Sequence, residues 1–383
     1  MKPLLKWPGG KSGEIKIIKK YIPSYDRYVE PFFGGGAMFF HLQPKEALIN
    51  DISKSLMDFY KLIKSNDNVL YDLLLYYNNS FSDLIIFCEA NYSDILKLYN
   101  LWSEHKIEKK ELENNLLELL SGLSDEIHHK FSNKIIFNKI VFFDEICKMT
   151  MDKMYRTIKN NKQKPFSKED LKSNLITGFA SGYYMYFRSV YNDMNLRRIK
   201  PPSLQYKIAN FCFIREYCYG SMFRYNKNGE FNIPYGGISY NKKNFKDKIE
   251  NMFNEDIQHI FKNTDIECMD FENFVIKSNL TENDFMFLDP PYDTDFSDYE
   301  GKAFTHDDQK RLASLLGQTA AKFILVIKNT DFIYSLYKDK FKILSFDNQY
   351  TYNVRSRNER KVEHLLITNL DVWCLGDLLL NLF

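Results

Sequence analysis

The chain has 383 residues, of which 44% are hydrophobic and 27% charged, with a formal net charge of +2 at pH 7. This composition is that of a globular protein, and the length exceeds what one hydrophobic core usually supports, so we expect two domains. The sequence has no run of about 18 apolar residues, no signal-peptide core and no cysteine or histidine spacing typical of a zinc site or disulfide framework. We therefore expect a cytoplasmic protein that binds neither a metal nor a membrane.

The chain begins with two glycines between lysines, in the segment Lys6-Trp7-Pro8-Gly9-Gly10-Lys11. Glycines let a backbone approach a ligand closely, and the lysines could hold a carboxylate. The segment lacks the glycine spacing and the Lys-Ser end of a phosphate-binding P-loop. Taken alone, it is more typical of a simple N-terminal turn.

A strand at Tyr28–Val29 is predicted to enter a glycine-rich loop, Glu30-Pro31-Phe32-Phe33-Gly34-Gly35-Gly36, with a helix starting at Ala37. This order of strand, glycine loop and helix brings backbone N–H groups to a ligand. The spacing F-x-G-x-G differs from the dinucleotide pattern G-x-G-x-x-G, which argues against NAD.

A second strand, Ala47–Ile49, leads into Asn50-Asp51-Ile52. Asp51 follows Gly34 by 17 residues, close to the offset of about 20 at which an acidic residue binds ribose hydroxyls in nucleotide folds. Asp51 could instead cap the helix predicted for residues 54–64. The preceding glycine loop favours the ribose interpretation.

From about Asn66 to Lys200 the pattern changes to helix, with leucines at helical spacing between Leu112 and Leu123. This helical block interrupts the α/β pattern, which indicates an inserted domain. Residues 153–227 contain 15 Lys or Arg and four acidic residues, a net charge of +11 that leaves −9 for the rest of the chain. A basic block is typical of polyanion binding, although a charge run is more often a solvated surface. Aromatic residues among the charges favour nucleic acid; they are Tyr183, Tyr184, Tyr186, Phe187, Tyr191, Tyr217, Tyr219, Phe223 and Tyr225.

The segment from Phe223 to Gly237 places Asn228-Gly229 between two aromatic-rich arms, a strong signal for a β-hairpin. A basic hairpin can enter a groove of DNA. An ordinary edge hairpin is the alternative.

Beyond the hairpin the α/β pattern resumes, and an apolar run, Phe285–Leu288, predicts a buried strand that ends at Asp289-Pro290-Pro291-Tyr292. Neither proline can donate to a sheet ladder, so the tetrapeptide lies at the carboxyl end of the strand, where open α/β sheets bind ligands. A carboxylate, a free carbonyl and a ring suit a planar heterocycle with an exocyclic amino group. A helix at 306–322, a strand at 323–327 and a strand pair at 345–354 and 362–368 are predicted to follow.

These motifs, taken in order, resemble those of the Dam-type, D12-class DNA adenine-N6 methyltransferases, over roughly residues 4–60 and 205–370. The resemblance implies an α/β fold with a Rossmann-like methyltransferase sheet that binds S-adenosylmethionine. It also implies an inserted DNA-recognition domain, mostly helical with a β-hairpin. The expected domains are 1–65 and 246–383 for the two parts of the catalytic domain and 66–245 for the insert.

The resemblance also implies a role for individual residues. Catalysis is expected from Asp289, Pro290 and Tyr292. Cofactor contacts are expected from Trp7, Gly9, Gly10, Lys11, Glu30, Phe33, Gly34, Gly36, Asp51, Ile52, Asp270, Phe271 and Asp289. DNA contacts are expected from Tyr219, Arg224, Asn226, Lys227, Pro234, Arg355 and Arg357. The expected partners are double-stranded DNA and a cognate restriction endonuclease, and the expected location is the nucleoid of a prokaryotic or phage-infected cell.

The chemistry supports methylation of adenine N6, because hydrogen bonds from the amino group to Asp289 and to the Pro290 carbonyl would localise its lone pair. Methylation of cytosine N4 is a close alternative, since the same amino-group chemistry serves both bases. Protein glutamine methylation is disfavoured, because enzymes of that kind carry Asn in place of Asp289. A DNA-binding module with a vestigial cofactor fold is a further alternative.

Overall fold

The computed structural model describes residues 1–7, 13–130, 132–292, 298–299, 302–349 and 361–371. Contacts divide the chain into two compact units. The sheet unit consists of Met1–Ser65 with Asn254–Phe383, and the helical unit is Asn66–Phe253.

Helices occur in both units. In chain order the α-helices of the described residues are α1 (Ile15–Ile18), α2 (Ala37–Leu42), α3 (Lys54–Lys64), α4 (Asn68–Ala90), α5 (Tyr92–Ser103), α6 (Lys109–Lys130), α7 (Ser132–Ile135), α8 (Lys139–Gln163), α9 (Lys168–Asn195), α10 (Leu204–Tyr217), α11 (Lys246–Met252), α12 (Glu255–Phe261), α13 (Phe271–Lys277), α14 (His306–Leu316) and α15 (Asp331–Tyr337). Short 3-10 helices cover Lys19–Tyr21, Tyr219–Ser221 and Ile238–Tyr240.

The strands of the described residues all belong to the sheet unit. They are β1 (Arg27–Glu30), β2 (Ala47–Asn50), β3 (Thr264–Glu267), β4 (Asp284–Leu288), β5 (Asp298–Tyr299), β6 (Lys302–Ala303), β7 (Lys322–Lys328), β8 (Lys342–Gln349) and β9 (Lys361–Thr368). Seven form one sheet in the order β3-β2-β1-β4-β7-β9-β8, while β5 and β6 pair with each other. Among the described strands of the large sheet, β9 runs in the direction opposite to the other six. The α/β prediction is confirmed, as a mostly parallel seven-stranded sheet.

The strand order reverses between β1 and β4. The chain runs outward from β1 through β2 to β3, then returns to the other side of β1 with β4. Arg27 and Asp284 stand opposite each other at the amino ends of these strands. Arg27 donates to both carboxylate oxygens of Asp284, from Nε at 2.8 Å and from Nη2 at 3.0 Å. This bidentate contact fixes how the two strands are aligned.

Alternating side chains cover both faces of the sheet, as a fully buried parallel sheet requires. One set, which includes Val29 and Met286, packs in a buried cluster with residues of α13, α14 and α15. The other set includes Tyr28, whose ring meets Phe285 and the α2 residue Phe39. The buried strands β1 and β4 are therefore held between helices, and only their ends can meet a ligand.

In the helical unit, α8 and α9 pack as an antiparallel pair at unusually close range. The close approach requires Gly182, because a Cβ at this position would lie 2.9 Å from the carbonyl oxygen of Glu145 and 3.0 Å from the backbone N of Ile146. The core of this unit is rich in aromatic rings. The buried rings include six of those in the basic block, namely Tyr183, Tyr184, Tyr186, Phe187, Tyr191 and Tyr217. The inference that these rings favour nucleic-acid binding is thus wrong for six of the nine, because their side chains build the core.

The hairpin prediction is confirmed for the turn but not for two paired strands. The N–H of Gly229, whose φ is +74°, donates to the Asn226 carbonyl at 2.9 Å, and the Asn226 side chain accepts from the N–H of Glu230 at 3.0 Å. The backbones of the arms pair at an isolated bridge, Tyr225 with Phe231, and not as continuous strands. They are fastened to α9 instead, where Asn192 donates to the Phe231 carbonyl at 3.1 Å and accepts from its N–H at 2.8 Å.

Two element ends differ from the prediction. Helix α14 ends at Leu316, not at residue 322, because Gly317 weakens the helix and Lys322 pairs with Phe285 as the first residue of β7. Strand β8 begins at Lys342, earlier than the predicted residue 345, since pairing with β9 starts there at Thr368. The rest of the predicted strand, from residue 350, lies outside the described residues. No helix in the described part of the chain is long and apolar enough to cross a membrane.

We predict that Gly182→Ala lowers the free energy of unfolding by about 1–3 kcal/mol, because the added methyl group overpacks the α8–α9 contact. Gly122→Ala is the matched control, since Gly122 is exposed on α6 and a Cβ there would lie no closer than 3.9 Å to Phe87. That control should gain up to about 1 kcal/mol from helix propensity. Urea unfolding followed by circular dichroism measures both, and equal effects of the two substitutions would contradict the close contact.

Candidate active site

The candidate site lies at the carboxyl edge of the sheet, where β1 and β4 end side by side. Glu30 is the last residue of β1 and leads into the glycine loop, and Leu288 is the last residue of β4 and leads into Asp289. Open α/β sheets bind ligands at the point where the strand order reverses, because the loops on either side of it part and leave a crevice. Both sequence motifs therefore meet at the binding edge of this sheet.

Neighbouring residues fix the conformation of the glycine loop. The N–H of Gly34 donates to Asp51 Oδ2 at 2.8 Å, and the N–H of Ser53 donates to Asp51 Oδ1 at 2.9 Å. Gly34 has a φ of +49°, and a Cβ on it would lie 2.9 Å from Cδ1 of Trp7. Trp7 thus packs directly on the loop, and only glycine fits beneath its ring. Asp51, Gly34 and Trp7, which the sequence proposed separately, lie together.

Two other residues expected at the cofactor have different surroundings. The Phe33 side chain is buried edge-on against Phe39 and Tyr60, with ring centroids 5.4 and 4.8 Å away. Its ring also limits Gly36, where a Cβ would lie 2.9 Å from the ring atom Cε1. The Phe33 ring is therefore part of the core, and its backbone is held by the Asn50 carbonyl and the N–H of Gly36. Ile52 is 45% exposed, and its side chain is accessible from solvent.

Carboxylates gather at this edge of the sheet. Glu30 is buried and accepts a hydrogen bond from the Tyr28 hydroxyl at 2.8 Å. Burial raises the pKa of Glu30 well above its usual range, and the nearby carboxylates of Asp289 and Asp51 raise that pKa further. Asp51 and Asp289 are only half-buried. A site with several carboxylates at close range suits a ligand that carries positive charge.

Asn50, which the sequence analysis did not select, ties three loops together at this edge. Its side chain donates to the carbonyls of Pro31, at 3.1 Å, and Met269, at 3.0 Å, and accepts from the N–H of Met269 at 2.9 Å. Its backbone carbonyl accepts from the N–H of Phe33 at 2.9 Å. The loops after β1, β2 and β3 are thereby fixed in relation to one another.

Asp270 and Phe271 follow β3, at the beginning of α13. Asp270 caps that helix through the N–H of Glu272, at 3.0 Å. Arg311, from α14, donates to Asp270 at 2.7 Å and to Glu272 at 2.7 and 2.9 Å, and it lies 4.9 Å above the Phe271 ring. These hydrogen bonds, that to Glu272 first, raise the pKa of Arg311, so it stays charged.

Three aromatic rings lie beside the ion pairs of Arg311. The Phe271 ring lies 5.3 Å from that of Phe32 and 5.6 Å from that of Phe304, measured between centroids. These rings come from the glycine loop, from α13 and from the residue before Thr305, the N-cap of α14. Together they form an apolar surface that suits a planar group.

Residues of α14 and β9 contact the tetrapeptide that follows β4. Pro290 is buried, whereas Asp289 and Tyr292 are half-buried. The buried Gln309 of α14 donates to the Pro291 carbonyl at 3.1 Å, which fixes the backbone of the prolines. The Tyr292 ring lies against that of His364 on β9, with centroids 5.5 Å apart.

Five of the seven residues expected to contact DNA lie in the hairpin of the helical unit or just before it. Tyr219 is 45% exposed, and its N–H donates to the carbonyl of Pro234, itself exposed, at 2.9 Å. Arg224 and Lys227 are exposed, and Asn226 shapes the turn. The expected site residues Gly9, Gly10, Lys11, Arg355 and Arg357 lie outside the described residues.

Sequence reasoning missed residues that act through tertiary contacts. Asn50 had a local signal, since it ends a strand directly before Asp51. Arg311 and Gln309 had none, because they lie in an amphipathic helix that reaches the site only once folded. Within the described ranges, no group of three or more metal-ligating side chains is positioned to hold an ion.

The sheet is mostly parallel, and its glycine loop and Asp289-Pro290-Pro291-Tyr292 both lie where the strand order reverses. This arrangement is consistent with a methyltransferase fold. Comparison with known families agrees. The model of the D12 class N6 adenine-specific DNA methyltransferases matches residues 7–174 and 148–352. The chain belongs to this family, so the recognised resemblance is confirmed. It is a site-specific methyltransferase that acts on N6 of adenine in DNA.

Curated relatives of similar length support this assignment. The chain is 26% identical to the type II methyltransferase M.CviBI of Paramecium bursaria Chlorella virus NC1A, over 96% of this chain and 100% of that protein. It is 26% identical to the type II methyltransferase M.MjaIII of Methanocaldococcus jannaschii, over 88% of each. It is 21% identical to a DNA adenine methylase of Vibrio cholerae, over 94% of each.

We predict that Glu30→Gln flattens the dependence of stability on pH. The pKa of Glu30 is raised in the folded state, so the folded protein binds more protons than the unfolded chain between the unfolded pKa, about 4.3, and the folded value. Stability contributed by the protonated group is present below that window and is lost as pH rises through it. Glutamine stays neutral and loses nothing over the same range.

Urea unfolding between pH 5 and pH 9 measures this difference. The variant should gain stability relative to the wild type as pH rises. Glu282→Gln, at an exposed position beside β4, is the control and should follow the wild-type profile. Parallel profiles for wild type and Glu30→Gln would contradict the raised pKa.

Proposed function

We propose that the methyl donor is S-adenosylmethionine and that this chain holds it at the β1–β4 edge. The donor carries a cationic sulfonium and an ammonium group, which suits the carboxylates of Asp51 and Asp289 gathered there beside Glu30. When bound, it supplies an activated methyl group. The fit of charge at this edge is the observation that carries the proposal.

Other residues of the edge suit the remaining parts of the donor. Asp51 follows β2 at the usual place of a ribose-binding acid, although its carboxylate also holds the N–H groups of Gly34 and Ser53. The aromatic surface around Phe271 suits adenine, with Asp270 at its margin. Trp7, Gly36 and Ile52 complete the proposed cofactor site. The segment Gly9-Gly10-Lys11 is assigned to it from the family motif alone.

The methyl acceptor is the exocyclic amino group of adenine, a weak nucleophile because its lone pair is conjugated with the ring. In the proposed complex, the Asp289 carboxylate and the Pro290 carbonyl accept the two amino hydrogens. Charge develops on nitrogen in the transition state, where fixed acceptors stabilise it most. The contact from Gln309 to the Pro291 carbonyl keeps the backbone acceptors in place without further reorganisation.

The target base must leave the duplex to reach Asp289. Extrusion of a base from the stack costs a few kcal/mol, and stacking in the enzyme offsets part of that cost. We assign the stacking surface to Tyr292, the half-buried ring of the tetrapeptide. Asp289, Pro290 and Tyr292 are thus the proposed catalytic residues.

We assign DNA recognition to the helical unit. Its hairpin presents Arg224 and Lys227 to solvent, and its arms are fixed to α9 through Asn192. Tyr219 and Pro234, exposed beside each other at the base of the hairpin, form a second proposed contact. Because several relatives are named type II methyltransferases, we propose a cognate restriction endonuclease as partner and intracellular DNA as substrate.

We predict that expression of the protein in a methylation-free host places N6-methyladenine in a single short DNA motif. Asp289→Ala should abolish the signal, because it removes the side-chain oxygens that accept an amino hydrogen of the base. Asp307→Asn, at an exposed position in the first turn of α14, should retain it. Single-molecule sequencing of host DNA measures all three.

The alternatives give different results in the same experiment. N4-methylcytosine in place of N6-methyladenine would contradict the choice of base. Equal methylation by Asp289→Ala and the wild type would remove Asp289 from the chemistry.

We predict that Arg224→Ala and Lys227→Ala each lower the slope of log Kd against log salt concentration by about 1, because each variant neutralises one DNA phosphate fewer. Titration of a duplex that contains the sequenced motif, between 50 and about 200 mM salt, measures the slope by fluorescence anisotropy. Lys97→Ala, at an exposed position on α5, is the control and should keep the wild-type slope. Unchanged slopes for both hairpin variants would remove the hairpin tip from the phosphate interface.

A further inference from the structure

A buried acid–base pair lies behind the tyrosine of the tetrapeptide. Glu14 is 4% exposed and His364 is completely buried. His364 Nδ1 lies 3.6 Å from Glu14 Oε1. At this separation a direct hydrogen bond is too long, but a charge or dipole contact in a medium without water is strong.

The histidine ring occupies a fixed position in the sheet. His364 lies on β9, opposite Lys328 of β7 on one side and opposite Phe346 of β8 on the other. Its ring centroid is 5.5 Å from that of Tyr292 and 5.9 Å from that of Phe346. These are packing distances for aromatic rings, so the imidazole forms a wall against which Tyr292 rests.

An apolar residue would fill this position at lower cost. The next residues of β9 on the opposite face, Leu365 and Ile367, belong to the apolar cluster of the sheet. A titratable ring and a carboxylate removed from water are costly unless each faces a partner. The carboxylate of Glu14 near Nδ1 favours one orientation of the imidazole ring, because it carries a charge that an aliphatic or amide side chain lacks.

We propose that Glu14 and His364 are positioning residues that set the orientation of the Tyr292 ring and hence the stacking of the target adenine. Glu14 orients the imidazole, and the imidazole limits the tilt of Tyr292. Glu14 immediately precedes α1, where its backbone carbonyl accepts from the N–H groups of Ile17 and Ile18, so its position is fixed by the helix. This proposal rests on the role assigned above to Tyr292.

The test uses single-turnover methylation of a duplex that contains the sequenced motif, with saturating S-adenosylmethionine. Glu14→Gln keeps the shape of the side chain and removes its charge, and His364→Asn removes the ring. Each should lower the rate constant by about 10- to 100-fold, because small misplacements of a reacting group have effects of this size. The KM for S-adenosylmethionine should stay within about twofold of wild type, since neither residue is assigned to the donor. Glu363→Gln, at the exposed neighbouring position on β9, should keep the wild-type rate.

Coupling between variants separates positioning from a loss of stability. If His364 acts through Tyr292, Tyr292→Ala combined with His364→Asn should be no slower than Tyr292→Ala alone. The proposal would be overturned if the rate losses of Tyr292→Ala and His364→Asn multiplied when the two were combined. A wild-type rate constant for Glu14→Gln would overturn it as well.

Two outcomes distinguish this proposal from the one on which it rests. A wild-type rate for Tyr292→Ala would overturn the stacking role of Tyr292 and this inference with it. A slow Tyr292→Ala beside fully active Glu14→Gln and His364→Asn would overturn this inference alone. Where His364→Asn fails to fold, the near-isosteric Glu14→Gln carries the test.

Discussion

Everything at the candidate site depends on the parallel pairing of β1 with β4. The bidentate contact between Arg27 and Asp284 fixes the alignment at the amino ends of the strands, three residues before Glu30 and five before Asp289. Because the strands are parallel and in fixed register, their carboxyl ends deliver Glu30 and Asp289 to one edge. The chain turns away from this pair in opposite directions, which opens the crevice that a ligand needs. A catalytic centre assembled from residues 259 positions apart in the sequence is thus the consequence of one strand pairing.

The same pairing creates an electrostatic problem, since it gathers carboxylates where water is scarce. The protein resolves it in two ways. Glu30 accepts the Tyr28 hydroxyl and has a raised pKa, which lets it bind a proton at little cost. Asp51 accepts the backbone N–H groups of Gly34, in the glycine loop, and of Ser53. Arg311 does not neutralise this group, because Asp270, Glu272 and Asp308 already surround it. The remaining negative charge is what makes a cationic methyl donor the best match.

Local signals in the sequence were sufficient for the core of the sheet. Strands β1, β2 and β4 and helix α3 could be predicted because apolar runs, prolines and glycines act on their immediate neighbours. Contacts between distant residues could not be predicted. The end of α14 at Leu316 follows from strand pairing, and the burial of Tyr183 and Tyr191 follows from helix packing. Arg311 and His364 reach the site from elements that carry no motif, so no spacing could reveal them. Aromatic residues among basic ones therefore indicate little until their burial is known.

The hairpin depends both on local sequence signals and on contacts between distant residues. Its turn is fixed by its own residues, Asn226 and Gly229, and this part was visible in the sequence. Its arms are fixed by α9, through the two hydrogen bonds of Asn192 with Phe231, and this part was not. Helix α9 therefore determines where the hairpin tip lies, while the residues of the loop determine its chemistry. On the proposed role in DNA recognition, residues such as Arg224 and Lys227 can change without moving the arms. The strength of phosphate binding can then vary while the scaffold that positions the hairpin stays the same.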